Sequence, residues 1–196
     1  MGVFVLCNLH PVLPLLLPLV AVLLTAYGAY TDSRFGILRV RLSKWALCLA
    51  PLFRGGVELL HSGTWAAAQQ GAMDSVAGAL LCAVTPVLLY RLKSLGRGDV
   101  WLLPAVGALL GLRMGVEAQM LTYAFALVLA PAKLVYDGTL FRTLGQALVA
   151  LGNVFRKPEA RKPVPASVLS SLALGPYIFL GTFFEAAYRH IGWFLR

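Results

Sequence analysis

VLPLLLPLVAVLLTAYGAY (Val12–Tyr30) contains no charged side chain. As a helix rising 1.5 Å per residue it is long enough to cross a bilayer core of roughly 30 Å. The rest of the chain repeats the pattern, with apolar segments parted by short basic runs. Arg34, Arg39, Arg41 and Lys44 follow the first span as a polar loop. A second span runs from Trp45 to Leu60, interrupted by Arg54 and Glu58, which are four apart and so share a helix face where they can neutralise each other. His61 to Asp74 has no Lys or Arg and reads as an external loop or surface helix. Ser75–Tyr90 is a third span, with Arg91, Lys93 and Arg97 after it. Val100–Leu112 is uncharged but short for a crossing, so its polar flanks, Asp99 included, are drawn toward the membrane. Ala118–Tyr136 is the fifth span, with Lys133 close enough to its end to snorkel out. A long basic loop, residues 137–162, has an apolar middle (Leu140–Val154) suited to the interface, and Val164–Phe184 is the last span. The expected fold is an all-α integral membrane protein of about six transmembrane helices, one membrane-embedded domain over residues 1–196.

Composition agrees. The chain is 59% hydrophobic and 13% charged, with mean hydropathy +0.78, whereas a soluble domain carries roughly 25% charged residues. Too little polar surface remains to face water on all sides. The formal charge of +9 could indicate nucleic acid, but the basic residues lie in loops between apolar segments with no aromatic platform for bases, so the partner they suit is anionic lipid. With the N-terminus outside, the cytoplasmic loops hold Arg34, Arg39, Arg41, Lys44, Arg91, Lys93, Arg97, Arg142, Arg156, Lys157, Arg161 and Lys162, and the external segments only Arg113, Arg189 and Arg196. The positive-inside rule therefore selects an N-out, C-out topology. Trp45, Trp65, Trp101 and Trp193 fall at or near predicted span ends, as interfacial aromatics do. Cys7, Cys48 and Cys82 lie singly within apolar stretches with no CxxC pair, so no zinc site is expected, and no metal or organic cofactor, because no ligand residues cluster. Gly107-Ala-Leu-Leu-Gly111 is a GxxxG of the kind that lets helices approach closely, and Pro51, Pro86, Pro104, Pro131 and Pro176 are expected to kink their helices.

Six of the eight acidic residues have simple roles. Glu58 has Arg54, Glu117 has Arg113 and Glu185 has Arg189, each four residues away; Glu159 sits in a basic loop, Asp74 precedes a span it could cap, and Asp137 ends a span near water. Asp32 and Asp99 stand apart. One lies two residues past the first span and the other one residue before the fourth, so the topology puts both on the cytoplasmic side at similar depth. Two readings are open at this point. Each is a helix-end charge, Asp99 being well placed to cap the helix that starts at Val100; or the two carboxylates meet, share one proton and activate a water as base and acid.

The local sequence favours the second. Leu95-Gly96-Arg97-Gly98-Asp99-Val100 is a GxGD stretch opening a helix, and its glycines free the backbone and let an extended strand approach the Asp. Followed by Trp101-Leu102 and a small-residue helix ending in Gly111, it resembles the second catalytic region of the type IV prepilin peptidases, a GxGD membrane aspartyl protease family with the pattern G-x-G-D-x-K-L. Tyr30-Thr31-Asp32-Ser33-Arg34-Phe35-Gly36-Ile37 is similar to that family's first catalytic region, and Leu174-Gly175-Pro176-Tyr177 to its Gly-Pro-bearing last helix. The sequence departs from the family where Leu38-Arg39 replaces Pro-Asn and where Trp101 replaces Lys, positions that bear on substrate placement. The CxxC-bearing methyltransferase portion of bifunctional members has no counterpart, which resembles the short, peptidase-only branch of Flp/Tad-type pili.

The resemblance implies a multi-pass enzyme of the bacterial inner membrane. It would be an aspartic-type endopeptidase removing the leader of prepilins or pseudopilins at the cytoplasmic face. It implies Asp32 and Asp99 as the catalytic pair, Gly96 and Gly98 as shapers of the substrate's approach, and Arg34, Arg97 and Trp101 as contacts for substrate or lipid. The competing class is non-enzymatic: a transport or secretion-apparatus subunit whose aspartates cap helices or relay protons, or an inactive relative of the peptidase.

Overall fold

The structure is a computed structural model that describes residues 13–35, 40–91, 96, 98–136 and 174–194, together with isolated positions between 138 and 149. Among the described residues all regular structure is helical: α1 (Leu13–Phe35), α2 (Val40–Ser62), α3 (Trp65–Arg91), α4 (Asp99–Leu110), α5 (Leu112–Tyr136) and α6 (Gly175–Phe194). The predicted interfacial segment Leu140–Val154 falls outside the described residues except at positions 141, 144, 145 and 149.

Three stretches, Leu15–Phe35, Trp65–Arg91 and Leu112–Tyr136, are long and apolar enough to cross a membrane. The distribution of polarity is that of a protein dissolved in lipid. Leu19 and Leu23 on α1, Leu80 and Val84 on α3, and Leu127 and Val128 on α5 face outward, while Thr25, Ser75, Gln119, Thr122 and Thr182 are buried. In hydrocarbon an apolar surface costs nothing and a hydroxyl must find a partner within the protein. The buried Thr25, Thr122 and Thr182 hydroxyls donate to carbonyls on the preceding turn of their own helices, and Ser75 donates across to the Ala108 carbonyl at 2.7 Å.

Helix α4 is the axis around which the others pack. Leu102 through Leu110 are all buried, which explains why a twelve-residue helix is apolar on every side. Leu17, Ala21 and Leu24 of α1, Ala50 of α2, Ala118 of α5 and Ile178 of α6 complete the core around it. Close approach to α4 depends on glycine. A Cβ on Gly78 of α3 would collide with the Gly107 carbonyl oxygen, and one on Gly107 would lie 2.7 Å from Cys82 Cβ and Sγ. The GxxxG, a frequent pattern in membrane helices, is here the contact surface between α3, α4 and α5.

Several boundaries differ from the sequence expectation. Residues 65–74, expected outside the third span, are the first turns of α3, and Arg41 and Lys44, expected in a loop, lie in the first turns of α2. The polar stretch Arg113–Glu117 between the fourth and fifth spans is helical, because the chain breaks at one residue only: Gly111, with φ +82°, interrupts the helix and α5 starts at Leu112. Such a φ is open to glycine and strained for other residues. Pro176 sits in the first turn of α6, where a missing N–H is harmless and the ring starts the helix rather than kinking it.

The ion pairs are partly those expected. Arg113 Nε–Glu117 Oε1 is 3.2 Å and Arg189 Nε–Glu185 Oε1 is 2.9 Å, and Arg189 also bridges to Glu117 at 2.6 Å, joining α6 to α5. Arg54 does not pair with Glu58. Its guanidinium reaches Asp74 Oδ2 at 2.6 Å and donates to the Leu109 carbonyl at 3.2 Å. Asp74 Oδ1 accepts the N–H of Leu112 at 3.3 Å, so this aspartate does serve a helix start, but that of α5 rather than of its own helix. The pairing across helices wins because the Gly111 break leaves a carbonyl and an amide unpaired inside the bundle, and Arg54 with Asp74 satisfies both.

Candidate functional site

The C-terminal turn of α1 and the N-termini of α4 and α6 meet at one end of the bundle. Helix α1 runs to Phe35, so Asp32 lies in its last turn rather than beyond it, half-buried. A carboxylate there faces the negative end of the helix dipole. It is met by α6, whose Gly175 N–H donates to Asp32 Oδ2 at 2.9 Å.

Asp99 is the first residue of α4, with Gly98 in the cap position and no side-chain cap bond. It therefore does not cap the helix. Its side chain turns inward and is 8% exposed. Oδ1 is buried with no hydrogen-bond partner among the described residues. The carboxyl is pushed up from 3.8 to about 7, first by burial, then by the negative charge of Asp32, with a backbone hydrogen bond from Gly96 opposing both. The influence of Asp32 on Asp99 is the structural sign that residues 67 positions apart lie within electrostatic reach.

The glycines act differently from the sequence expectation. Gly98 has φ −70° and ψ −44°, an ordinary right-handed conformation open to any residue, and its carbonyl accepts the N–H groups of Trp101 and Leu102 at 3.1 Å each. Gly96 contributes through space: it is exposed, and a Cβ there would sit 3.2 Å from Asp99 Oδ2. Its bare α-carbon keeps the approach to that oxygen open.

The remaining predicted residues are distributed around the pair. Arg34 is exposed, and Nη1 lies 3.4 Å from the Tyr30 hydroxyl on the preceding turn. Arg97 lies outside the described residues. Trp101, in the first turn of α4, carries Lys44 Nζ of α2 over its ring at 4.6 Å from the centroid. A cation therefore stands at this position although the chain has no Lys in α4 there. Sequence reading did not single out Lys44, and its position four residues into α2 carried no signal. Gly175 was visible only as half of a Gly-Pro pair.

A buried carboxyl that holds its proton near neutrality, within electrostatic reach of a half-buried one that accepts an N–H, is an arrangement able to supply an acid and a base. Such a pair can work on one water without a metal or a covalent intermediate. The fold and the pair together define a helical membrane protein with a candidate two-carboxylate site. Compared with known protein families, residues 19–132 match the type IV leader peptidase family. That is more than half of the chain and includes both aspartates, and the chain belongs to this family. No curated protein and no solved structure matches it.

Proposed function

We propose that the chain is an aspartic-type endopeptidase that removes the leader peptides of prepilins or pseudopilins, with Asp32 and Asp99 as its catalytic pair. The observation that carries the reading is the raised carboxyl of Asp99, held by burial and by the charge of Asp32 in a chain of the type IV leader peptidase family. A helix cap would need neither burial nor a second acid. Gly96 leaves room for an extended strand beside Asp99 Oδ2, while Gly98 sets the start of α4. Trp101 with Lys44, Arg34 and Arg97 flank that approach as contacts for substrate or headgroups. The excess of Lys and Arg in the segments adjoining the pair favours the cytoplasmic face of the inner membrane.

The test is leader cleavage of a prepilin carrying a basic leader and an apolar helix, in membranes, read by mass spectrometry of the substrate's N-terminus. Asp32→Asn and Asp99→Asn are each expected to abolish cleavage while the protein still inserts. Wild-type cleavage by either variant rules that residue out of the chemistry. An unmodified chain that cuts no such substrate leaves a non-enzymatic relative as the reading.

A further inference from the structure

Asp32 and Asp99 differ in what surrounds them, and the difference comes from a helix that lies outside the region matched to the family. Gly175 opens α6, and its N–H points at Asp32 Oδ2. The approach is close enough to depend on the absence of a side chain. A Cβ on Gly175 would lie 2.8 Å from Asp32 Oδ2, 2.9 Å from Asp32 Cβ and 3.2 Å from Ala29 Cα. Pro176 follows directly in the first turn; with φ fixed and no N–H of its own, it starts the helix without competing for the acid. Asp99 is set differently: a backbone hydrogen bond from Gly96 reaches its carboxyl too, but not both oxygens. Its Oδ1 is buried and unpartnered among the described residues, a poor place for a charge and a good one for a proton.

From this asymmetry, and resting on the peptidase reading above, we infer that Gly175 is a positioning residue whose N–H and bare α-carbon hold Asp32 as the proton acceptor of the pair and leave the shared proton on Asp99. The sequence of transfers is then determined. Water's oxygen bonds the scissile carbonyl carbon as Asp32 takes a proton from that water and Asp99 gives its own to the carbonyl oxygen. The C–N bond breaks as Asp32 passes its proton to the leaving nitrogen and Asp99 recovers one from a hydroxyl of the diol. Both carboxyls end as they began, and the net reaction consumes one water.

The experiment compares Gly175→Ala, Gly175→Pro and Gly56→Ala in the full chain in membranes, with kcat and KM measured on a prepilin substrate. Gly175→Ala keeps the N–H and displaces Asp32, so kcat falls at least tenfold with KM within twofold. Gly175→Pro also removes the donor and falls further. Gly56, where a Cβ would meet nothing within 4 Å, tolerates Ala without change. Wild-type kcat in Gly175→Ala, or an effect confined to KM, overturns the inference and leaves the peptidase reading intact. An unmodified chain that cuts nothing sinks that reading and this one with it. Because the α6 variants could fail to fold, a second measurement stands apart from activity: Asp32→Cys with Gly175→Cys, in a chain whose native cysteines are replaced by Ala, is oxidised mildly in membranes. The two Cβ positions are within a small shift of the roughly 3.8 Å that a disulfide spans, so the pair should crosslink, and its failure to do so overturns the placement.

Discussion

Replacing Asp99 by Asn is expected to stabilise the folded protein at alkaline pH while abolishing cleavage. The carboxyl holds its proton up to about 7 in the fold, against an ordinary 3.8. Between those values the native state binds a proton that the unfolded state has released, so stability falls as pH rises through the interval. At about 1.4 kcal/mol per pH unit, the interval from 3.8 to about 7 amounts to roughly 4 kcal/mol, an upper bound reached by about pH 8. Asn has nearly the same shape and is neutral throughout, so its advantage grows from near zero around pH 4 to its maximum at pH 8. Any cost of burying the amide is the same at every pH and shifts the curve without changing its slope. The assay is unfolding of wild type and variant by SDS titration in mixed micelles at several pH values. A stability difference flat in pH, or an Asn variant whose disadvantage grows toward pH 8, would falsify the argument that burial holds the proton on Asp99.

Three further outcomes follow from particular contacts. Asp32→Asn removes the second of the two causes that raise Asp99 and leaves burial, the first, in place; the same titration should show the alkaline loss of stability setting out at the same pH but ending at a lower one, not vanishing. Arg54→Ala strips Asp74 of its ion pair and the Leu109 carbonyl of its donor, and should cost about 2 kcal/mol in the same unfolding assay, less than a fully buried pair because the Asp74 side chain is 36% exposed; Asp74→Asn, which can still accept from Leu112, should cost less. Gly107→Ala drives a methyl into Cys82 and should cost at least about 2 kcal/mol or prevent insertion of a folded bundle, seen as loss of a monodisperse peak in detergent gel filtration.

What could be read from the residues was whatever depends on local hydropathy and on charge asymmetry. The helices around Val12–Tyr30, Ser75–Tyr90 and Ala118–Tyr136 follow from runs that no aqueous fold would expose. Their ends were less legible, because a polar residue such as Asp74 or Glu117 interrupts hydropathy without interrupting a helix whose polar groups find partners in neighbouring helices. Arg54 shows the same limit. Four-residue spacing predicted Glu58 as its partner, and the bundle offered a better one twenty residues on, at a helix break where two backbone groups needed satisfying.

For the candidate site, the GxGD stretch and the acid after the first span were enough to single out Asp99 and Asp32, since each of the other six acids had an ordinary place at a helix end, in a basic loop or four residues from an arginine. Hydropathy also required an all-helical protein in lipid, because a chain with this little charge has no other solvent. Only the packing of α1, α4 and α6 decided that Asp99 is buried with an unpartnered oxygen, that Asp32 accepts an amide from residue 175, and that Lys44 stands over Trp101. The physical reason is that burial and hydrogen bonding between residues 143 positions apart belong to the arrangement of helices around α4, and the composition of any one helix carries no trace of them.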